Sequence, residues 1–202
     1  MDPLTLDLTA YDALIFDLDG TLVDSMPLHL NAWQSIADEF GFKFDPVRLN
    51  QLGGVPARKI AAIINKEQGL RIDTLAATKA KRAHYLQNIN RADSFASMLN
   101  LVRHYHGKLP MAIGTGSPRT NADRVLRNTG LEQYMDAVVT ANDVENHKPH
   151  PDTFLLAAEK LGIEPKKCLV FEDTEIGREA AHSGGMDCVL INKGRCGEIY
   201  PA

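Results

Sequence analysis

Five short apolar runs recur along the chain, at Ala13–Phe16, 109–113, Ala137–Val139, 168–171 and 188–191. Short runs of this kind read as strands of a parallel sheet, buried on both faces. Patterns of helical period lie between the later runs, at 119–128, 153–161 and 176–183. Strand and helix in alternation predict an α/β fold, a Rossmann-like parallel sheet with helices on both faces. Right-handed crossovers then bring every strand's carboxyl end to one edge, where ligands bind in open sheets.

The stretch 25–90 breaks the alternation. It holds no convincing strand but three amphipathic patterns, at 28–40, 57–67 and 74–89, punctuated by Gly41, Gly53, Gly54 and Gly69. A small inserted helical cap domain is expected there, with 1–24 and 91–202 forming the core, to which a helix at 94–105 returns. The 202 residues suffice for one such core plus an insertion.

A formal net charge of −4 argues against nucleic acid or an anionic membrane surface as the main partner. An anionic ligand would therefore need a cation or a few placed Lys and Arg side chains. No apolar run approaches the ~20 residues that span a bilayer. The N-terminal stretch lacks the basic region of a signal peptide, so a cytoplasmic protein, taken as a monomer, is expected. Cys168, Cys188 and Cys196 are widely spaced, two of them beside apolar runs, and are read as small hydrophobes.

The first strand ends in Asp17-Leu18-Asp19-Gly20-Thr21. Acids at i and i+2 of an extended segment point the same way and crowd charge at the sheet edge. Two close carboxylates repel unless a cation sits between them or one takes a proton. A hard cation such as Mg2+, which prefers oxygen ligands, suits the pair. A solvated acidic turn uses the same residues, and so does a calcium loop.

Three further motifs follow in order, each at a predicted strand end: Gly114-Thr115-Gly116-Ser117, then Lys148-Pro149, then Glu172-Asp173. Together with 17–25 (Asp17 to Ser25) they resemble, over nearly the whole chain, the four signatures of the haloacid dehalogenase superfamily. That resemblance implies a magnesium-dependent phosphatase acting on a small phosphorylated metabolite. The residues agree with it chemically. Asp17 offers a carboxylate oxygen able to attack phosphorus, so that one hard displacement becomes two easier ones. Asp19 is placed to protonate the leaving oxygen and then to take a proton from water. Glu172 and Asp173 add oxygen ligands to Asp17 for Mg2+, and the resemblance implies that the backbone carbonyl of Asp19 joins them. Thr115, Gly116 and Ser117 can donate to phosphate oxygens near a helix N-terminus. Lys148 would neutralise the transferring group.

Within the superfamily the chain is similar to the β-phosphoglucomutase-like subgroup, and especially to its fructose-1-phosphate phosphatase-like members. The insertion corresponds to a cap whose closure excludes water and contacts the leaving group. His29, Trp33, Gly54, Val55 and Arg58 are the candidates for those contacts, although Trp33 also suits a core position and Arg58 a solvated one. True mutases of the subgroup carry Arg in the cap loop and Lys-Asn after the second-motif serine. Here Ala57, Pro118 and Arg119 stand in their place, with Arg58 and Arg119 as possible substitutes for a second phosphate site. The departures favour hydrolysis over β-phosphoglucomutase activity. A phospho-accepting receiver-like switch is the non-enzymatic alternative, set apart by its shorter chain and lack of a helical insertion.

Overall fold

A computed structural model describes residues 3–202. Its centre is a six-stranded sheet of β1 (Ala13–Phe16), β2 (Met111–Gly114), β3 (Ala137–Val139), β4 (Cys168–Glu172), β5 (Asp187–Asn192) and β6 (Arg195–Tyr200). The spatial order is β3-β2-β1-β4-β5-β6, with the first five parallel and β6 antiparallel to β5. From β1 the chain winds outward through β2 and β3, then returns to the other side for β4 and β5. The switch point therefore lies between β1 and β4, which is where a crevice opens at the carboxyl ends.

Alternation along β1 divides the core in two. Ala13 and Ile15 face α7 (Asp152–Leu161) and α8 (Glu175–Ser183), meeting Phe154, Ala157 and Ala180. Leu14 and Phe16 face the opposite layer, built by α5 (Ala96–Tyr105) and α6 (Arg119–Thr129) with Leu101 and Val125. All four residues of β1 are buried, as the uninterrupted apolar run requires.

Four helices fill the interval between β1 and α5: α1 (Met26–Phe40), α2 (Pro46–Gln51), α3 (Ala57–Gln68) and α4 (Thr74–Asn88). They enclose a core of their own, in which Trp33, Ile36, Phe42, Leu49, Ile60 and Ile64 are buried. Trp33 thus belongs to this core as well as to the cavity beneath it. Helix α2 was absent from the sequence reading, because six residues are too few to reveal a period. Its start is set locally, with Pro46 at the first turn and the Asp45 carboxylate accepting from the Arg48 N–H. Strand β6 was missed as well, since only Cys196 among its residues is buried and the alternation is weak. The three cysteines are buried and form no disulfide with one another, and no described helix is long and apolar enough to cross a membrane.

The start of α8 shows how tightly the sheet edge is packed. Thr174 caps the helix through its hydroxyl, which accepts from the Gly177 N–H at 3.1 Å. A Cβ on Gly177 would overlap the buried carboxyl group of Glu172. Gly→Ala inside a helix ordinarily stabilises by about 1 kcal/mol. Here the sign reverses: Gly177→Ala should destabilise by about 2 kcal/mol, through overpacking. Thermal denaturation should register a fall of roughly 4–8 °C, and an unchanged or raised midpoint would contradict this packing.

Candidate active site

The carboxyl ends of β1, β2 and β4 converge with the loop after β3. Asp17 follows β1 directly, its N–H donating to the Phe171 carbonyl at 2.9 Å, so β4 fixes its backbone. Lys148 comes from the loop after β3 and donates from Nζ to Asp17 Oδ1 at 2.7 Å and to Glu172 Oε1 at 2.8 Å. All three side chains are buried. The other oxygen of Glu172 accepts from the Thr174 N–H at 2.6 Å and the Thr174 hydroxyl at 2.8 Å. Asp173, half-buried, completes a group with Asp17 and Glu172 whose ligand oxygens lie within 4.8 Å of one another.

The electrostatics follow from burial. Desolvation raises the Asp17 carboxyl to about 7, against the attraction of Lys148 and with the help of Glu172. Asp173 is raised well above the carboxylate range by burial and by Glu172 and Asp17. Burial alone would lower Lys148, but its two carboxylate partners outweigh that and push it up. Three acids facing one lysine leave an excess of negative charge, the donor set a hard divalent cation requires.

Asp19 lives in the opposite environment. Its Oδ1 accepts from the Ser25 hydroxyl at 2.5 Å and from His29 Nε2 at 3.2 Å, and its Oδ2 accepts from the Ser117 hydroxyl at 2.5 Å. Burial alone would raise this carboxyl, yet His29, Ser117 and Ser25 hold it well below the usual range. The tautomer of His29 is set from behind. Lys81 Nζ, which carries only donors, contacts His29 Nδ1 at 2.6 Å, so the ring proton resides on Nε2. Burial, with Lys81 beside it, lowers the pKa of His29, and burial brings Lys81 itself down to about 8. The imidazole stacks on Tyr85, centroids 4.1 Å apart, and the ammonium lies 5.1 Å from the same ring.

The cavity above these groups has a volume of about 270 Å³. Of the residues expected from sequence, Asp17, Asp19, Thr115, Gly116 and Ser117 form its floor. His29, Trp33, Gly54 and Arg58 line it from α1–α4, Arg58 from an exposed position. Arg119 lies apart from the cavity lining. Its guanidinium donates to the Val138 carbonyl at 3.0 Å and pairs with Asp143 at 2.5 Å, which ties α6 to the loop after β3. Ser25, Lys81 and Asn121 were not foreseen. The signal for Lys81 was available, since Ala77, Lys81 and Tyr85 form one i, i+4 stripe on the buried face of α4.

The loop between α2 and α3 presses onto the floor. Gly54, in the left-handed region at φ 78°, sits so close that a Cβ would lie 3.3 Å from Lys148 Cδ. A Cβ on Gly116 would overlap the Gly54 carbonyl. The cover is thus closed, and its closure needs both positions to lack a side chain.

An open parallel sheet with carboxylates and a buried lysine at its switch point, under a helical cover, defines an α/β enzyme of acid-rich chemistry. The chain belongs to the haloacid dehalogenase-like hydrolases, whose family model matches residues 14–191. It is 38% identical over 181 residues to a fructose-1-phosphate phosphatase of Escherichia coli K12, covering 90% of this chain and 96% of that protein. It is 30% identical over 199 residues to the β-phosphoglucomutase of Bacillus subtilis 168, covering 91% and 84%. In fold it is similar to a crystal structure of β-phosphoglucomutase from Clostridium difficile, with a TM-score of 0.82 at 25% identity over 89% of this chain and 84% of that one.

Two outcomes test this geometry. In Lys81→Met, His29 loses the neighbouring positive charge while keeping Asp19, so its pKa should rise. Imidazole NMR should report the increase, accompanied by a fall in kcat of about tenfold or more. An unmoved His29 titration would show that Lys81 does not set the tautomer. Gly116→Ala should keep the cover ajar and lower kcat/KM by about tenfold or more, with greater protease sensitivity of 46–56; wild-type values for both would rule out the close approach.

Proposed function

We propose that this hydrolase is a magnesium-dependent phosphatase of small phosphorylated metabolites, in particular sugar phosphates such as fructose 1-phosphate. The observation that carries the reading is the pairing of Asp17 with Lys148 at 2.7 Å, opposite an Asp19 held by three donors. One carboxylate is neutralised from below and left open to the cavity; the other is poised for proton transfer.

Asp17 attacks phosphorus and forms an aspartyl-phosphate, expelling the alcohol. Lys148 offsets the charge on Asp17 and on the transferring group throughout. The Thr115 hydroxyl and the Gly116 N–H donate to the phosphate oxygens. Asp19, raised by the arriving phosphate anion so that it takes up a proton from solvent, delivers that proton to the leaving oxygen, then recovers one from the water that cleaves the acyl phosphate. The geometry favours Oδ2 as the oxygen that carries this proton. The Ser117 hydroxyl facing it can turn from donor to acceptor, whereas His29 Nε2–H on Oδ1 cannot while Lys81 holds Nδ1. Asp17, Asp173, Glu172 and the Asp19 carbonyl would hold Mg2+, which when bound offsets the repulsion between carboxylate and phosphate. Glu172, with both oxygens already engaged, acts first as the anchor of Lys148.

Residues 25–90 form the cap in this reading, and 1–24 with 91–202 the core. The higher identity to the phosphatase than to the mutase supports hydrolysis, as does the engagement of Arg119 with Asp143 away from the cavity. Cys168 and Cys188, buried and in no disulfide, suit a reducing compartment and support a cytoplasmic location.

The test is phosphate release from fructose 1-phosphate, β-glucose 1-phosphate and glucose 6-phosphate with Mg2+, against EDTA controls. Metal-dependent release is expected, and Asp17→Asn should lower it by about 10⁴-fold or more while the fold persists. Conversion of β-glucose 1-phosphate to glucose 6-phosphate outpacing release would replace hydrolysis with mutase activity.

A further inference from the structure

Asn121 lies in the first turn of α6, where its backbone N–H donates to the Pro118 carbonyl at 2.9 Å. Its side chain is a different matter. The residue is 5% exposed, lines the cavity, and its Oδ1 has no hydrogen-bond partner among the described residues. A buried carboxamide oxygen without a partner is costly and calls for an explanation.

The neighbouring polar groups are all committed. Asp17 takes Lys148, the Thr115 hydroxyl accepts from the Ser117 N–H at 3.1 Å, and Lys81 holds His29. Across the cavity the Thr78 hydroxyl donates to its own helix at Thr74, and Arg82 donates to Thr120 at 2.5 Å. Among the described residues that line the cavity, Asn121 is the one with a buried polar atom, Oδ1, left without a hydrogen-bond partner. It sits about one turn beyond Ser117, whose hydroxyl holds Asp19, and so borders the space next to the proton-transfer group.

We infer that Asn121 is a specificity-determining residue: its carboxamide hydrogen-bonds a hydroxyl of the leaving group. The inference rests on the phosphatase reading above. A half-turn about χ2 exchanges the acceptor and donor ends of the group, so a hydroxyl in either role is matched. The walls contributed by Leu30, Leu52, Val55 and Ile60 are apolar, and the other free polar groups of the lining, the Trp33 indole N–H and the exposed Arg58, are donors only. The alcohol recognised is therefore a polyol with a hydroxyl beyond the ester oxygen, and a leaving group lacking one forfeits the contact.

The experiment compares kcat/KM for the sugar phosphate that wild type cleaves fastest in the panel above with that for 4-nitrophenyl phosphate, whose leaving group has no further hydroxyl. Asn121→Ala and the similarly branched Asn121→Leu are measured alongside wild type, with thermal midpoints as the folding check. The ratio of the two kcat/KM values should drop tenfold or more in each folded variant, with no loss of thermal midpoint. A ratio within about twofold of wild type overturns the inference, leaving a buried water as the partner of Asn121. Equal losses on both substrates also overturn it and make Asn121 structural. Should Asn121→Ala not fold, Asn121→Leu decides alone. Wild type releasing phosphate from neither compound sinks the phosphatase reading itself, an outcome visible before any variant is made.

Discussion

The arrangement of this protein turns on one buried cation, Lys148, held between Asp17 and Glu172. An isolated ammonium in such a place would lose its charge, and an isolated carboxylate would take a proton. Together they persist because Lys148 donates to both carboxylates and Thr174 fills the other oxygen of Glu172. Glu172 is the pivot: one oxygen faces Lys148 and the other is filled by Thr174, so the carboxylate cannot rotate. Several distant features serve this trio. Gly177 leaves room for the Glu172 carboxyl, the Phe154 ring lies 4.5 Å from the Lys148 ammonium, and Gly54 closes over its aliphatic stem. Removing one charge of the three would leave the others uncompensated in a dry site.

Asp17 and Asp19 stand two residues apart, yet their environments push them in opposite directions. Asp17 has a single cationic partner and two acidic neighbours, and burial lifts it to about 7. Asp19 has three donors and no equal opposition, so it is held ionised. These directions run against the proposed roles, since Asp17 must be ionised to attack and Asp19 must carry a proton to deliver. A cation held by Asp17, Glu172 and Asp173 would lower Asp17, and an arriving phosphate anion would raise Asp19. The alternation of the strand puts them side by side; the loops and helices around them make them different.

Much of this was legible in the sequence, and what was not shares a cause. The parallel strands were readable because a strand buried on both faces must be apolar throughout, as β1 is from Ala13 to Phe16. The acids and Lys148 were readable because they follow strand ends in a fixed order. Arg119 reads from sequence as a substitute phosphate ligand, whereas Asp143, which no local pattern connects to it, engages its guanidinium away from the cavity. Lys81 is not singled out by sequence because propensity and charge treat every lysine alike. Only its place on the stripe of Ala77 and Tyr85 separates it. Asn121 left no trace, since its significance is the partner it lacks.

The network around Asp19 also gives the helical cover a part in the chemistry beyond shelter. Two of the three donors to Asp19 belong to the segment around it and to the core, Ser25 and Ser117. The third, His29, stands on α1 and is oriented by Lys81 from α4. Were those helices to swing away, Asp19 would lose His29, regain water and exchange a defined proton path for a solvated carboxylate. In the covered arrangement two things hold at once: Gly54 lies over Gly116 and Lys148, and His29 engages Oδ1 of Asp19, which in the proposed chemistry leaves Oδ2 to carry a proton. In the proposed chemistry, coupling these events would confine proton transfer to the covered site, with bulk water kept from the acyl phosphate.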